Sequence, residues 1–203
     1  MPQSTYTIRS MPHTLARRMY LTALSTLIVT IFMLPLVSFS GYSILRNTTS
    51  ELGAQESPFA WVMCCVFVAM GVAILYMFRH VLRRHQFAKL CIWIFGISFI
   101  LVGVFQHEAG TPSANSGNLE ATLHSFFASG MGFAITVFAL LISRIVTTSK
   151  ARVAAMTAAG LSLGLSGAMV ALPEYAGLLQ RVMFLTILLW LYFVAVHLEQ
   201  LKQ

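Results

Sequence analysis

Six stretches of almost unbroken apolar side chains alternate with short polar segments along the chain, at about 19–40, 58–79, 88–106, 121–144, 151–172 and 177–199. Each is close to the roughly 20 residues an α-helix needs to cross the hydrocarbon of a bilayer. In lipid every backbone N–H and C=O must be bonded within its own segment, and runs of this length are far too long for barrel strands. The pattern therefore predicts six transmembrane helices. The expected fold class is all-α, an integral membrane bundle over residues 19–200 preceded by a cytoplasmic segment over 1–18. The first run follows Arg9, Arg17 and Arg18 and ends in Ser38-Phe39-Ser40, which is the outline of a cleavable signal peptide. It is long enough to span by itself, so it is expected to stay as an anchor.

Composition agrees with that reading and narrows it. The chain is 58% hydrophobic and 9% charged, and a soluble domain of 203 residues has too few charged side chains to cover so much apolar surface. A net charge of +7 raises the question of nucleic acid. The basic residues, however, stand at the ends of apolar runs and not in a patch interleaved with aromatics, so no nucleic-acid partner is expected. They report topology instead. Arg9, Arg17, Arg18, Arg79, Arg83, Arg84, Lys89, Arg144, Lys150, Arg152 and Lys202 fall on one side, which leaves only Arg46 and Arg181 of the thirteen on the other. That other side carries Glu51, Glu56, Glu108, Glu120 and Glu174. Both termini are thereby expected in the cytoplasm, in a bacterial inner membrane, with membrane lipids as the natural partners.

Small residues suggest how the helices meet. Gly160 and Gly164, extended by Gly167, make a Gly-xxx-Gly stripe in the fifth run, and Ala128 and Gly132 repeat the spacing in the fourth. Packing of these two helices on each other is the first expected contact, with a homo-oligomer or another membrane protein as the alternative use of the stripe. Cys64, Cys65 and Cys91 lie inside apolar runs without metal-type spacing and are expected to be small core residues.

Candidate chemistry collects at the outer ends of the runs, where Arg46, Asn47, Ser50, Glu51, His107, Glu108, Glu120, His124 and Arg181 are found. Ionisable groups are costly in a membrane and raise a functional hypothesis wherever they occur. His124 opens the fourth run with Glu120 one helical turn before it, which fits a satisfied interfacial histidine or a site residue. Arg181 lies about four residues into the sixth run and calls for a carboxylate or anion, Glu51, Glu108 or Glu120 among them, or else snorkels to the head groups. His107 and His124 are weak metal candidates. His13, His80, His85 and His197 belong to the cytoplasmic side, so no histidine pair sits at matched depth for haem, and no cofactor is expected. No P-loop, dinucleotide fingerprint, nucleophile elbow or His-Glu-x-x-His occurs, and the chain has no Asp.

Several short pieces occur in a familiar order: Asn47 with Ser50-Glu51-Leu52-Gly53, then Gly103-Val104-Phe105, Leu123-His124, and Gly177 with Gln180-Arg181. In this the chain resembles a large, mostly bacterial family of six-helix membrane proteins catalogued only as a domain of unknown function, loosely similar to the Frag1, DRAM and Sfk1 group. That family commonly has Pro, a variable residue and Asp after its Gly-x-Phe, where this chain has Gln106, His107 and Glu108. The resemblance implies an outer pocket built from Ser50, Glu108, His124 and Arg181.

Three functions compete on this basis. The first is a lipid or amphiphile binder that holds a head group near Arg181, His124, Ser50, Glu108 and Glu51. The second is a membrane-embedded hydrolase or transferase in which His124 works with Glu108 or Glu120. The third is an accessory or assembly subunit without chemistry, in which the polar cluster satisfies itself.

Overall fold

The computed structural model describes residues 11–108 and 119–200. Among them the chain forms seven α-helices and no strand: α1 (Met11–Met33), α2 (Thr49–Leu52), α3 (Ala60–Phe78), α4 (Gln86–Val104), α5 (Leu119–Ile145), α6 (Ser149–Ala171) and α7 (Ala176–Gln200). Six of these are long and apolar enough to cross a membrane; α2 is the exception. Single 3₁₀ turns at Leu34–Val37 and Pro173–Tyr175 follow α1 and precede α7. Both contain a proline, which lacks the N–H that would continue an α-helix.

Helix ends follow from local chemistry. Thr148 caps α6 by accepting a hydrogen bond from the backbone N–H of Ala151 at 3.3 Å. Helix already covers Met11–Arg18, with Pro12 in its first turn, where a missing N–H costs nothing, and with Ala16 buried in the core. Residues 1–10 and Lys202 lie outside the described residues, as does most of the expected loop from His107 to Glu120.

Neighbours in sequence pack side by side, α3 on α4, α4 on α5 and α5 on α6, while α1 lies against α3 and α6 against α7. Helix α7 also reaches across the middle. Phe184 meets Phe67 of α3 and Phe99 of α4 at 6.1 and 5.5 Å between ring centres, and Trp190 meets Phe138 of α5 at 5.9 Å. Tilted and edge-to-face arrangements of this kind are the favoured ones for aromatic pairs. Helices α1 and α7 run in opposite directions, because Arg17 pairs with Glu199, Tyr20 donates to the Leu188 carbonyl at 2.8 Å, and Ile31 meets Arg181.

Close helix contact is made by glycines other than those expected. A Cβ on Gly71 would lie 2.5 Å from the Gly96 oxygen, and one on Gly103 would lie 2.7 Å from the Cys64 oxygen, so α3 and α4 touch backbone to backbone. Helices α5 and α6 do pack on each other, as expected, but through Ala155, Ala158, Ala159 and a 3.0 Å hydrogen bond from Thr136 to Ser162. Gly160, Gly164 and Gly167 are exposed and have open space where a side chain would stand. Gly132 lines a cavity of about 120 Å³ between α5, α6 and α7 instead of closing it. Cys65 is likewise exposed, whereas Cys64 and Cys91 are half-buried.

The outer surface of the helices is apolar. Phe87, Phe126, Phe133, Leu163, Val170 and Phe193 are each at least 67% exposed. So extensive an apolar exterior is stable only against lipid or partner protein, and this is an integral membrane protein.

Candidate functional site

The polar residues singled out in the sequence lie at the end of the molecule opposite the Arg17–Glu199 pair, and they divide into two knots. The first is built on the start of α7. Helices leave their first N–H groups without partners; here the N–H of Gly177 donates to the Arg46 carbonyl and that of Leu178 to the Leu45 carbonyl, each at 3.1 Å. The approach is so close that a Cβ on Gly177 would collide with the carbonyl oxygens of Asn47 and Ile44. One turn later stands Arg181, which is 1% exposed. Long side chains on a helix lean toward its N-terminus, and this brings the guanidinium under the same loop. Nη1 donates to the carbonyls of Ile44, Asn47 and Gly177 at 2.9–3.0 Å, Nε to Ile31 at 3.2 Å, and Nη2 to the Tyr42 hydroxyl at 2.7 Å. No carboxylate is among its partners. Carbonyl dipoles and one phenol take the place of the acid that the sequence led us to expect.

The rest of the motif completes this knot. The Tyr42 hydroxyl in turn donates a hydrogen bond shared between the carbonyls of Asn47 and Thr48. Burial raises its phenol above the ordinary value against the opposing pull of Arg181, so the hydroxyl stays protonated and can donate. Gln180 accepts from both the backbone N–H and the hydroxyl of Thr49, at 2.6 and 2.7 Å. Thr48 and Glu51 form a capping box on α2, and the second oxygen of Glu51 accepts from the Asn47 side-chain amide. Ser50 is half-buried on α2, where its carbonyl accepts from Gly53 at 3.0 Å.

The second knot joins α4 and α5. Glu120 accepts from the Gln106 backbone N–H at 2.9 Å and from the Gln55 amide at 3.2 Å, while the Gln55 N–H donates to the His107 carbonyl at 3.0 Å. His124 is 3% exposed and donates from Nδ1 to the Phe105 carbonyl at 2.7 Å. A carbonyl can only accept, so Nδ1 carries the proton, and in a neutral ring Nε2 would keep a lone pair. That Nε2 is buried without a hydrogen-bond partner. His107 stands edge-on to it, with ring centres 5.3 Å apart, and its Nδ1 donates to the Glu108 carbonyl at 2.8 Å. Glu108 is half-buried beside it. Among the described residues no three His, Cys, Asp or Glu side chains are grouped to hold a metal ion. Hydrogen bonds do not link Arg181 to His124, so Ser50, Glu108, His124 and Arg181 share one end of the molecule without forming one direct network.

Two other cavities carry polar residues that were not singled out from the sequence as site residues. One of about 350 Å³ lies between the α5–α6 turn and α7, with Thr148, Lys150 and His197 above Trp190, Phe193 and Val194. The Nε2 of His197 is buried and has no hydrogen-bond partner. Another, of about 570 Å³, runs between α1 and α3 from Arg18 past Ala23 to Thr26, with Val66, Ala69 and Cys65 on its other wall. No alternation or motif marks these residues. The available signal was a single cation next to an apolar run, and every basic turn offers that.

The sequence model of a family described as "Protein of unknown function (DUF998)" matches residues 20–197. No curated protein and no solved structure matches the chain.

Proposed function

The chain belongs to this family of unknown function, and from that premise we propose that it seats anionic phospholipids of the inner leaflet of a bacterial cytoplasmic membrane in troughs between its helices, with both termini in the cytosol. One observation carries the reading: Lys150 and the unpartnered Nε2 of His197 stand together at the head of an apolar cavity. A ligand site is usually a mostly apolar concavity with a few convergent polar groups. Here those groups favour a phosphate. Lys150 supplies charge, His197 supplies a ring N–H, and the first backbone N–H groups of α6 open beside Thr148. Trp190, Phe193 and Val194 offer the wall along which an acyl chain would lie.

The trough between α1 and α3 repeats the plan, with Arg18 at its lip and an apolar floor. Arg181 supports a different role. Its donors are directed at the protein's own backbone, so it braces the outer end and is closed to a head group. The ligand class expected from the sequence is therefore retained, and its head group moves to the basic end.

Lipid retention in mild detergent tests this by native mass spectrometry. A Lys150→Glu, His197→Ala double variant is expected to retain roughly tenfold less anionic phospholipid, since each basic contact with an anionic leaflet is worth about 1 kcal/mol. Zwitterionic lipid should be unchanged. Equal retention of anionic lipid by variant and parent would sink the proposal.

A further inference from the structure

His107 and His124 are left over from every role described above. Each commits Nδ1–H to a backbone carbonyl, of Glu108 and Phe105 respectively. This is the outer-shell arrangement that fixes the tautomer of metal-bound histidines and turns Nε2 into the ligand. The Nε2 of His124 has no hydrogen-bond partner although the side chain is 97% buried, the complement of its 3% exposure. A buried polar atom in that state is open to a ligand. The spacing of the rings is also suitable. Two imidazoles on one tetrahedral ion, each with a metal–nitrogen bond of about 2.0–2.1 Å, have ring centres about 5 Å apart. The observed separation is 5.3 Å, with the planes at 86°.

We propose that His107 and His124 bind one transition-metal ion of the imidazole-favouring kind, Zn²⁺ or Cu²⁺, through their Nε2 atoms at the outer end of the molecule. No third His, Cys, Asp or Glu side chain is grouped with them among the described residues, so water is the ligand for the remaining positions. The surroundings suit the role. Phe105, whose carbonyl orients His124, stacks on Phe127 at 5.8 Å and so holds that carbonyl in place. Glu120, one turn before His124, is engaged by Gln106 and Gln55, which fixes the start of α5 against the end of α4. The two histidines are therefore presented by braced backbone on two different elements. That is the preorganisation a site of only two protein nitrogens requires.

The probe is Cu²⁺ alone, added in substoichiometric steps to tag-free protein in detergent and followed by electron paramagnetic resonance. The background is a parent in which His13, His80, His85 and His197 are replaced by Gln. The expected result is one tight site with hyperfine coupling to two nitrogens. Coupling should fall to one nitrogen in His107→Ala, and affinity should drop at least tenfold in both His107→Ala and His124→Gln. His107 is half-exposed on a loop, so its variant reports on the site even if the His124 variant fails to fold. Two-nitrogen coupling that persists in His107→Ala, or binding in the parent no tighter than in His107→Ala, would overturn the proposal.

Discussion

Arg181 is the residue on which its end of the bundle turns, because its removal strands several groups at once. The carbonyls of Ile31, Ile44, Asn47 and Gly177 would lose a charged donor inside a region that water does not reach. Breaking a buried charged network of this kind costs about 3–5 kcal/mol, so Arg181→Ala should lower stability by that much in a denaturant titration in detergent. Arg181→Lys should recover only part of the loss, since an ammonium cannot reproduce the fork that spans Ile44, Asn47 and Tyr42. A loss below about 1 kcal/mol for the alanine variant would mean that the knot does not hold the loop. The sequence placed this arginine in the sixth apolar run and called for a carboxylate or anion, or else snorkelling to the head groups, whereas its donors go to backbone carbonyls and the Tyr42 hydroxyl. The identity of the partner was illegible, because backbone carbonyls have no letter in a sequence and only the folded chain brings those of α1, the following loop and α7 to one point. His124 shows the same limit: Glu120 was visible as a neighbour one turn away, but the Phe105 carbonyl that sets its tautomer was not.

At the scale of helices, the prediction separates two kinds of glycine that look alike in the chain. Gly71 and Gly103 face backbone across the α3–α4 contact, with atoms of α4 and α3 where a side chain would begin. Overpacking a tight contact costs about 1–3 kcal/mol, so Gly71→Ala and Gly103→Ala should each destabilise by that amount. Gly160→Ala and Gly164→Ala meet open space and should stay within about 0.5 kcal/mol of the parent in the same titration. If the second pair proved as costly as the first, the exposed placement of the α6 stripe would be refuted. Spacing alone favoured the α6 glycines, since Gly-xxx-Gly is the recognised seam of membrane helices. The outcome differs because four-residue spacing says that small residues share a face but not which way that face points. The direction is set by where α5 and α7 bury Ala155, Ala158 and Ser162. The apolar runs themselves were readable to within a few residues at most boundaries, because length and hydropathy are dictated by the bilayer and hardly depend on tertiary contacts.

For the whole molecule, the contacts sort the loops into two ends. Arg17 meets Glu199 at 2.7 Å, and Ala16, Arg79, His80 and Glu199 surround one small cavity, so the start of α1, the end of α3 and the end of α7 are together. Lys150 and His197 add the α5–α6 turn to the same end. Glu199 is the one acid of this basic end, and its burial beside Arg17 explains why it escapes the segregation that the other five glutamates follow. At the opposite end, Gln55 joins the α2–α3 segment to His107 and Glu120, and Arg46 joins the α1–α2 segment to α7. Because basic flanks are retained in the cytosol during insertion, the Lys150 end should face inward and the Glu56 end outward. Glu56 and Lys150 are both exposed, which makes them suitable reporters. In a background with Cys64, Cys65 and Cys91 changed to Ala, a membrane-impermeant thiol reagent applied to intact spheroplasts should label Glu56→Cys at once, and Lys150→Cys only after the membrane is permeabilised. The reverse order would invert the protein. It would also carry the Lys150–His197 cavity to the outer leaflet and the paired histidines into the reducing cytosol, where glutathione competes for copper, so a single labelling experiment bears on both proposed sites.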